Sequence, residues 1–304
     1  MKNYKILFMG TPMFAKTTLE YLYNNKFNII GCFTNPDTVS GRGMKTKISE
    51  VKQFCLDNSI KVFQPNKLKN EEVYDLIKSL DPNLIVVSAY GKILPEYILN
   101  YPKYGCINVH GSLLPSYRGA APINHAIING DTITGITTMY MDKGMDTGDM
   151  LLKESVDILP NDNYITLYNK LMNVGGKLIV KTLNELDNIQ RIKQGDNFTL
   201  APMIDKDFCK IDFNKSNIEI YNFVRGINAF TTMNGKKYKI HEVKLCEDFV
   251  GVVGSIVFVS KNRLVIKCKI GCIEIIKIQP ENSKVLDIVS FLNGNKIEVG
   301  MKYD

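Results

Sequence analysis

Cys106-Ile107-Asn108-Val109-His110-Gly111-Ser112-Leu113-Leu114-Pro115-Ser116-Tyr117-Arg118-Gly119 begins as an apolar run of strand character and ends in turn formers. A strand repeats every two residues, so Asn108 and His110 share one face while Ile107 and Val109 share the other. Gly111 and Pro115 then take the chain off the sheet. An amide and an imidazole are left at a strand's carboxyl end, where open α/β sheets bind ligands. An isolated histidine in an apolar run is ordinarily a satisfied core residue. This one has a polar neighbour on its own face, Arg118 in the loop that follows and Asp146 further on, a combination that points to chemistry.

Outward from this strand, the first half alternates strand-like and helix-like segments. Lys5 to Gly10, Ile29 to Thr34, Leu84 to Ser88 and Gly105 to His110 read as strands; helices are expected from about Met13 and near Ser49 to Asp57. Such alternation predicts an α/β domain with a parallel-rich, Rossmann-like sheet covered by helices. The first strand-to-helix turn, Phe8 to Phe14, lacks the Gly-x-Gly-x-x-Gly fingerprint, which argues against nicotinamide binding. Two further strands, Ile133 to Met141 and Leu151 to Val156, flank the turn-rich Asp142-Lys143-Gly144-Met145-Asp146-Thr147-Gly148-Asp149. A helix is expected from about Ile165 to Leu186.

Beyond it, Asn188 to Ala201 is polar and without periodicity, so residues 189–205 read as a linker. Tyr238 to Leu245, Val252 to Val259, Arg263 to Cys268 and Ile273 to Ile278 then predict a small OB-like, partly open β-barrel, with a short helix from Val285 to Leu292. The expected domains are therefore 1–188, the linker, and 206–304. A chain of 304 residues suits two such cores.

Seven cysteines, at 32, 55, 106, 209, 246, 268 and 272, are odd in number and mostly lie in apolar runs, so neither disulfides nor a metal centre is expected. No signal-peptide pattern or membrane-length apolar stretch is read, and a cytoplasmic protein follows, with an organelle matrix as the alternative. Residues 1–189 carry 20 Lys and Arg against 18 Asp and Glu; residues 190–304 carry 18 against 13. The smaller part thus holds most of the positive excess, which favours anionic partners, nucleic acid foremost, without deciding for them.

The motifs add a resemblance. Ile107 to Pro115, followed by Tyr117-Arg118-Gly119-Ala120-Ala121-Pro122 and later by Met145-Asp146-Thr147-Gly148-Asp149, resembles the signature of the folate-dependent formyltransferase superfamily. Asn35-Pro36-Asp37 with Ser40-Gly41-Arg42-Gly43-Met44-Lys45, and the basic β domain, resemble its methionyl-tRNA formyltransferase branch. Gly111 stands where that family often has alanine, a change that adds backbone freedom without removing chemistry.

The resemblance implies 10-formyltetrahydrofolate as co-substrate, initiator methionyl-tRNA as partner, a monomer, and a catalytic trio of Asn108, His110 and Asp146. It implies a folate pocket bordered by Ser88, Tyr90, Gly91, Ile93, Leu94 and Pro95, and by Ser112, Leu113, Leu114, Pro115 and Asp142. For tRNA it points to Arg42 and Lys45 in a glycine-flanked loop, and to Lys206, Lys210, Lys236 and Lys237, with Lys239 and Lys267 adding charge.

Formyl transfer to an amine passes through a tetrahedral carbon with a developing oxyanion, which Asn108 and His110 are suited to meet. One imidazole can take the amine proton and then protonate the departing nitrogen. Asp146 would orient the ring or a water. Arg118 reads equally as a carboxylate or phosphate ligand and as the partner of a nearby acid. Ser112 has no nucleophile elbow around it, and His125 and His241 read as surface or structural. The same trio would serve a small-amine formyltransferase or a formate-releasing hydrolase; a binding module would have no need of Asn108 and His110 together.

Overall fold

β1 (Ile6–Gly10), β2 (Ile29–Phe33) and the strands that join them form the centre of the first sheet, and their near-unbroken apolar character marks strands covered on both faces. The structure, a computed structural model, describes residues 3–40 and 45–303. Between and after these strands come α1 (Met13–Asn24), a short ladder of β3 (Thr38–Ser40) and β4 (Lys45–Lys47), α2 (Glu50–Asp57) and β5 (Val62–Phe63). The series continues with α3 (Glu71–Leu80), β6 (Leu84–Ser88), α4 (Glu96–Leu99), β7 (Cys106–His110), α5 (Pro122–Ile128), β8 (Ile133–Tyr140), β9 (Met150–Asp157) and α6 (Tyr164–Glu185).

The seven-stranded sheet runs β5-β2-β1-β6-β7-β8-β9. The first five strands are parallel, β8 is antiparallel to β7, and β9 is antiparallel to β8. The parallel-rich expectation holds, and its antiparallel edge is formed by the two strands around the Asp142–Asp149 loop. Gly10 pairs with Ser88 and Val87 with Asn108, so the carboxyl ends of β1, β6 and β7 lie side by side. On one face Leu7, Met9, Ile85, Val87 and Cys106 pack with Tyr90, Leu94 and Ile98. The other face meets α6, where a Cβ on Gly175 would stand 3.1 Å from Val109, and one on Gly176 only 2.2 Å from the Tyr21 ring. Side chains at these two positions would push the helix away.

The second part comprises α7 (Asn217–Gly226), β10 (Phe230–Met233), β11 (Lys236–Cys246), β12 (Ile256–Val259), β13 (Leu264–Lys267), β14 (Cys272–Pro280), β15 (Leu286–Asp287) and α8 (Ile288–Gly294). Its antiparallel sheet follows β10-β11-β14-β13-β12, with β15 also on β14, and curls as an OB-like half-barrel. Register shifts near Glu242 in β11 provide the bend. Ile240, Ile256, Leu264, Ile266, Ile273, Ile275, Ile278, Phe291 and Tyr303 fill the interior.

Two local expectations are corrected and one gains detail. The strand expected from Val252 begins at Ile256, because Ser255 N bonds to Val252 O and Gly254 takes a positive φ of 80°. The helix expected from Val285 begins at Ile288, since Asp287 is its N-cap, accepting from Ser290 N at 2.9 Å, and Leu286 pairs with Ile278. The loop after Asp37 is flanked by the β3–β4 ladder.

Two compact units result, and they do not follow chain order. One holds the chain up to Pro122 with Ile133–Asp157 and Thr166–Pro202; the other holds Ile123–Thr132, Ile158–Ile165 and the chain from Met203. Within the second, Asn124 Nδ2 donates to Gly226 O, and Tyr221 donates to Pro160 O. α5 and the 158–165 turn are thus fastened to α7 by polar bonds as well as by apolar contact. No helix among the described residues is long and apolar enough to cross a membrane.

Candidate active site

β7 presents Asn108 and His110 on the face opposite Val109, as period two requires. His110 is buried and Asn108 half-buried. The ring has two fixed neighbours: Nε2 lies 2.9 Å from Tyr117 O, and Nδ1 lies 3.6 Å from Asp146 Oδ2. A carbonyl only accepts, so Nε2 carries a hydrogen and donates, which leaves the Nδ1 edge toward the carboxylate. The same carboxylate oxygen accepts from Gly119 N at 2.9 Å. Asp146 is brought to β7 by its own left-handed backbone, φ 54°, at the turn between β8 and β9.

After β7 the chain folds into a tight loop whose polar groups are turned inward. Ser112 Oγ donates to Ser116 O, Thr137 Oγ1 donates to Ser112 O, and Leu114 N donates to Thr137 Oγ1. Leu114 is buried with Met139 and Met150, and Lys153 Nζ donates to its carbonyl. Burial lowers the affinity of Lys153 for its proton. Ser112 and Leu114 are therefore supports of the loop, with side chains facing away from solvent, while Leu113 and Pro115 lie beside them in the same loop.

Arg118 is held by its neighbours. Its side chain is buried, Nε donates to Gln194 Oε1 at 2.9 Å, and its guanidinium stacks over Phe198 at 4.4 Å. Its structural partners are a neutral amide and an aromatic ring, where a structural role read from the sequence expects an acid. The backbone beyond it pairs with residues 199–201: Tyr117 N donates to Thr199 Oγ1, Arg118 N to Thr199 O, and Ala121 N to Ala201 O. Gly119, at φ 123°, has to be glycine, since a Cβ there would stand 2.6 Å from Ala201 O. The polar stretch expected to be a plain linker is thus bonded along the loop that carries the site.

Of the residues expected to border a folate, Ser88, Tyr90, Leu94 and Pro95 are buried, while Gly91 and Ile93 are exposed. Ser88 is buried and shares a hydrogen bond with Thr18. Tyr90 is buried, its hydroxyl has no partner among the described residues, and burial strongly disfavours its ionisation. Gly91 takes φ 76° next to Asn35. Ile93, Leu94 and Pro95 border an open groove of about 750 Å³ together with Lys69, Glu71, Tyr74, Glu96, Tyr97 and Lys143. Asp142 closes the neighbouring turn, accepting from Gly144 N and Thr147 Oγ1. Cys106 offers no nucleophile, because burial pushes its thiol up to about 12.

Of the basic residues, Arg42 lies outside the described residues and Lys45 opens β4. Lys206 and Lys210 are exposed. Lys210 bridges to Phe230, Phe230 pairs with Lys239, Thr232 with Lys237 and Met233 with Lys236, so four lysines collect at the β10–β11 edge. Lys237 Nζ sits 3.4 Å from the centre of the Phe230 ring. Lys267 instead pairs with Asp248 at 2.6 Å. His125 packs against Phe208 and His241 bonds to Gln279. Among the described residues no group of three or more His, Cys, Asp or Glu is placed to hold a metal ion.

Residues 3–183 match the family described as formyl transferase, and residues 203–296 match the formyl transferase C-terminal domain. The methionyl-tRNA formyltransferase of Caldanaerobacter subterraneus subsp. tengcongensis is 44% identical, over 97% of this chain and 98% of its own length. That of Clostridium acetobutylicum is 46% identical, over 98% of each. Among solved structures, the sugar 3N-formyl transferase WlaRD, in the presence of dTDP and 5-N-formyl-THF, superposes with a TM-score of 0.66. It shares 22% identity over 93% of this chain and all of its own, a likeness of fold.

Proposed function

From the premise that this chain belongs to the formyl transferase family, we infer that it moves a formyl group from 10-formyltetrahydrofolate to the amino group of methionyl initiator tRNA in the cytoplasm, yielding formylmethionyl-tRNA for translation initiation. The observation that carries the chemistry is the imidazole of His110, held between the Tyr117 carbonyl and the Asp146 carboxylate, with Asn108 on the same face of β7. The acceptor nitrogen adds to the formyl carbon, and the former carbonyl oxygen takes the negative charge. Asn108 donates to that oxygen, an interaction typically worth about a hundred- to a thousandfold in rate. His110 accepts the proton released by the amine at its Nδ1 edge. It returns a proton to N10 as the bond from the carbon to the folate nitrogen breaks, and Asp146 steadies the charged ring between the two transfers.

The groove of Ile93, Leu94, Pro95 and Tyr97 offers apolar and aromatic surface for the flat folate rings, and its rim mixes Lys69 and Lys143 with Glu71 and Glu96, of which the lysines can meet the folate carboxylates. Asn108, His110 and Asp146 are the catalytic residues of this reading. The β10–β11 edge is the phosphate-contacting surface of the second unit, with Lys206, and Arg42 and Lys45 reach the acceptor end.

The purified protein, given 10-formyltetrahydrofolate and initiator methionyl-tRNA, is expected to form formylmethionine, with little formate released when the acceptor is omitted. Formate release without acceptor formylation would make the chain a hydrolase. The basic edge predicts steep salt dependence: each phosphate contact adds about −0.7 to −0.9 to the slope of log affinity against log salt. A tRNA-binding titration between low and moderate salt is expected to give a slope near −3 to −5, reduced by about one in Lys236→Ala. A flat response would leave the edge without this role.

A further inference from the structure

We propose that Gln194 is a positioning residue for formyl transfer, joining the Arg118 loop to the Asp146 turn and so holding the carboxylate opposite His110. From Gln190 to Leu200 every other side chain is exposed, whereas Gln194 is turned inward. Its amide is engaged at both ends. Nε2 donates to Asp146 O and Gly148 O, both at 2.8 Å, and Oε1 accepts from Arg118 Nε at 2.9 Å. Carbonyls only accept and a guanidinium only donates, so the amide fits in a single orientation.

These bonds close a ring of contacts around the reacting imidazole. His110 bonds to Tyr117, the next residue Arg118 bonds to Gln194, Gln194 bonds to the Asp146 and Gly148 carbonyls, and Asp146 faces His110. Gly119 N closes the ring a second time on the carboxylate. Asp146 needs holding, because a left-handed φ at a non-glycine residue persists only where its surroundings impose it. Gln194 contacts no reacting atom in this arrangement. It acts through Asp146 and Arg118, from a stretch that looks like a connector in the sequence.

The inference rests on the catalytic reading above, and its test separates the two. Formyl transfer is measured under saturating substrates and at low substrate for wild type, Gln194→Ala, Gln194→Glu, Asp146→Asn, and Asp146→Asn combined with Gln194→Ala. A displacement of about 1 Å at a reacting group costs on the order of a hundredfold. Gln194→Ala is expected to lose about ten- to a hundredfold in kcat, with KM for folate and tRNA within about twofold. Gln194→Glu keeps an acceptor for Arg118 but sets oxygen against two carbonyls, so it is expected to fail to restore kcat. The decisive readout is non-additivity: with Asp146 already neutralised, removing Gln194 is expected to cost less than about threefold more.

Equal losses in both backgrounds, wild-type kcat in Gln194→Ala, or full activity in Gln194→Glu would overturn the proposal. Should Gln194→Ala fail to fold, Gln194→Met, which keeps the length and removes the hydrogen bonds, takes its place in the same cycle. Full activity of Asp146→Asn would instead strike the catalytic reading itself.

Discussion

His110→Ala is expected to lower the rate of formylmethionine formation by at least about a thousandfold at saturating substrates. The imidazole serves twice, taking a proton from the amine and delivering one to the folate nitrogen, and general acid–base work of this kind contributes roughly a hundred- to ten-thousandfold. The ring's contacts are a main-chain carbonyl at Nε2 and the Asp146 carboxylate at Nδ1, and a main-chain carbonyl cannot take over the imidazole's proton transfers. The substitution also leaves the Tyr117 carbonyl and the Asp146 carboxylate short of a partner, at a stability cost of about 1–3 kcal/mol. Thermal unfolding measured alongside separates that cost from the chemistry. A folded His110→Ala protein within tenfold of wild type would remove the imidazole from the mechanism. His110→Gln supplies a useful comparison, since its amide can still donate to Tyr117 O but cannot shuttle a proton.

The strand that carries this histidine was legible because its signal is local. Asn108 and His110 stand two apart in an apolar run, and a period of two places them together whatever the rest of the chain does. The parallel-rich sheet was legible for the same reason, from buried strands such as Leu84–Ser88 alternating with helices. α7 and the β10–β11 hairpin carried local signals that a coarse reading passes over. Ser216 and Glu219 form a capping box at the start of α7, and Asn234-Gly235, both at positive φ, make the two-residue turn between β10 and β11.

What escaped sequence reading is non-local. Nothing near Gln194 announces that its partners lie 46, 48 and 76 positions away. Likewise the hydroxyl of Ser112 resembles that of any loop serine until the fold closes it against Ser116. Arg118 shows the limit most plainly: a guanidinium in this loop suits an anion, and only the fold shows Gln194 on its Nε and Phe198 against its face.

Asp146→Asn is expected to fold normally and to lose about a hundred- to a thousandfold in kcat. Two features make it a clean substitution. Asparagine accepts the left-handed backbone more readily than most residues, so the φ of 54° imposes little strain, and its side-chain oxygen can still accept from Gly119 N. What disappears is charge. A carboxylate 3.6 Å from a developing imidazolium is worth about 4–5 kcal/mol gross at an effective dielectric of ~20. Each decade of rate corresponds to about 1.4 kcal/mol, so two to three decades remain even after part of that energy is spent on desolvation. KM for both substrates is expected to stay within a few fold, because Asp146 acts on the ring and not on bound folate or tRNA. Asp146→Ala should do worse in stability, since it loses the Gly119 bond and places alanine at positive φ. If Asp146→Asn turned over at a rate near wild type, the aspartate would be a turn former only, and the imidazole would have to manage its proton transfers with no anionic partner.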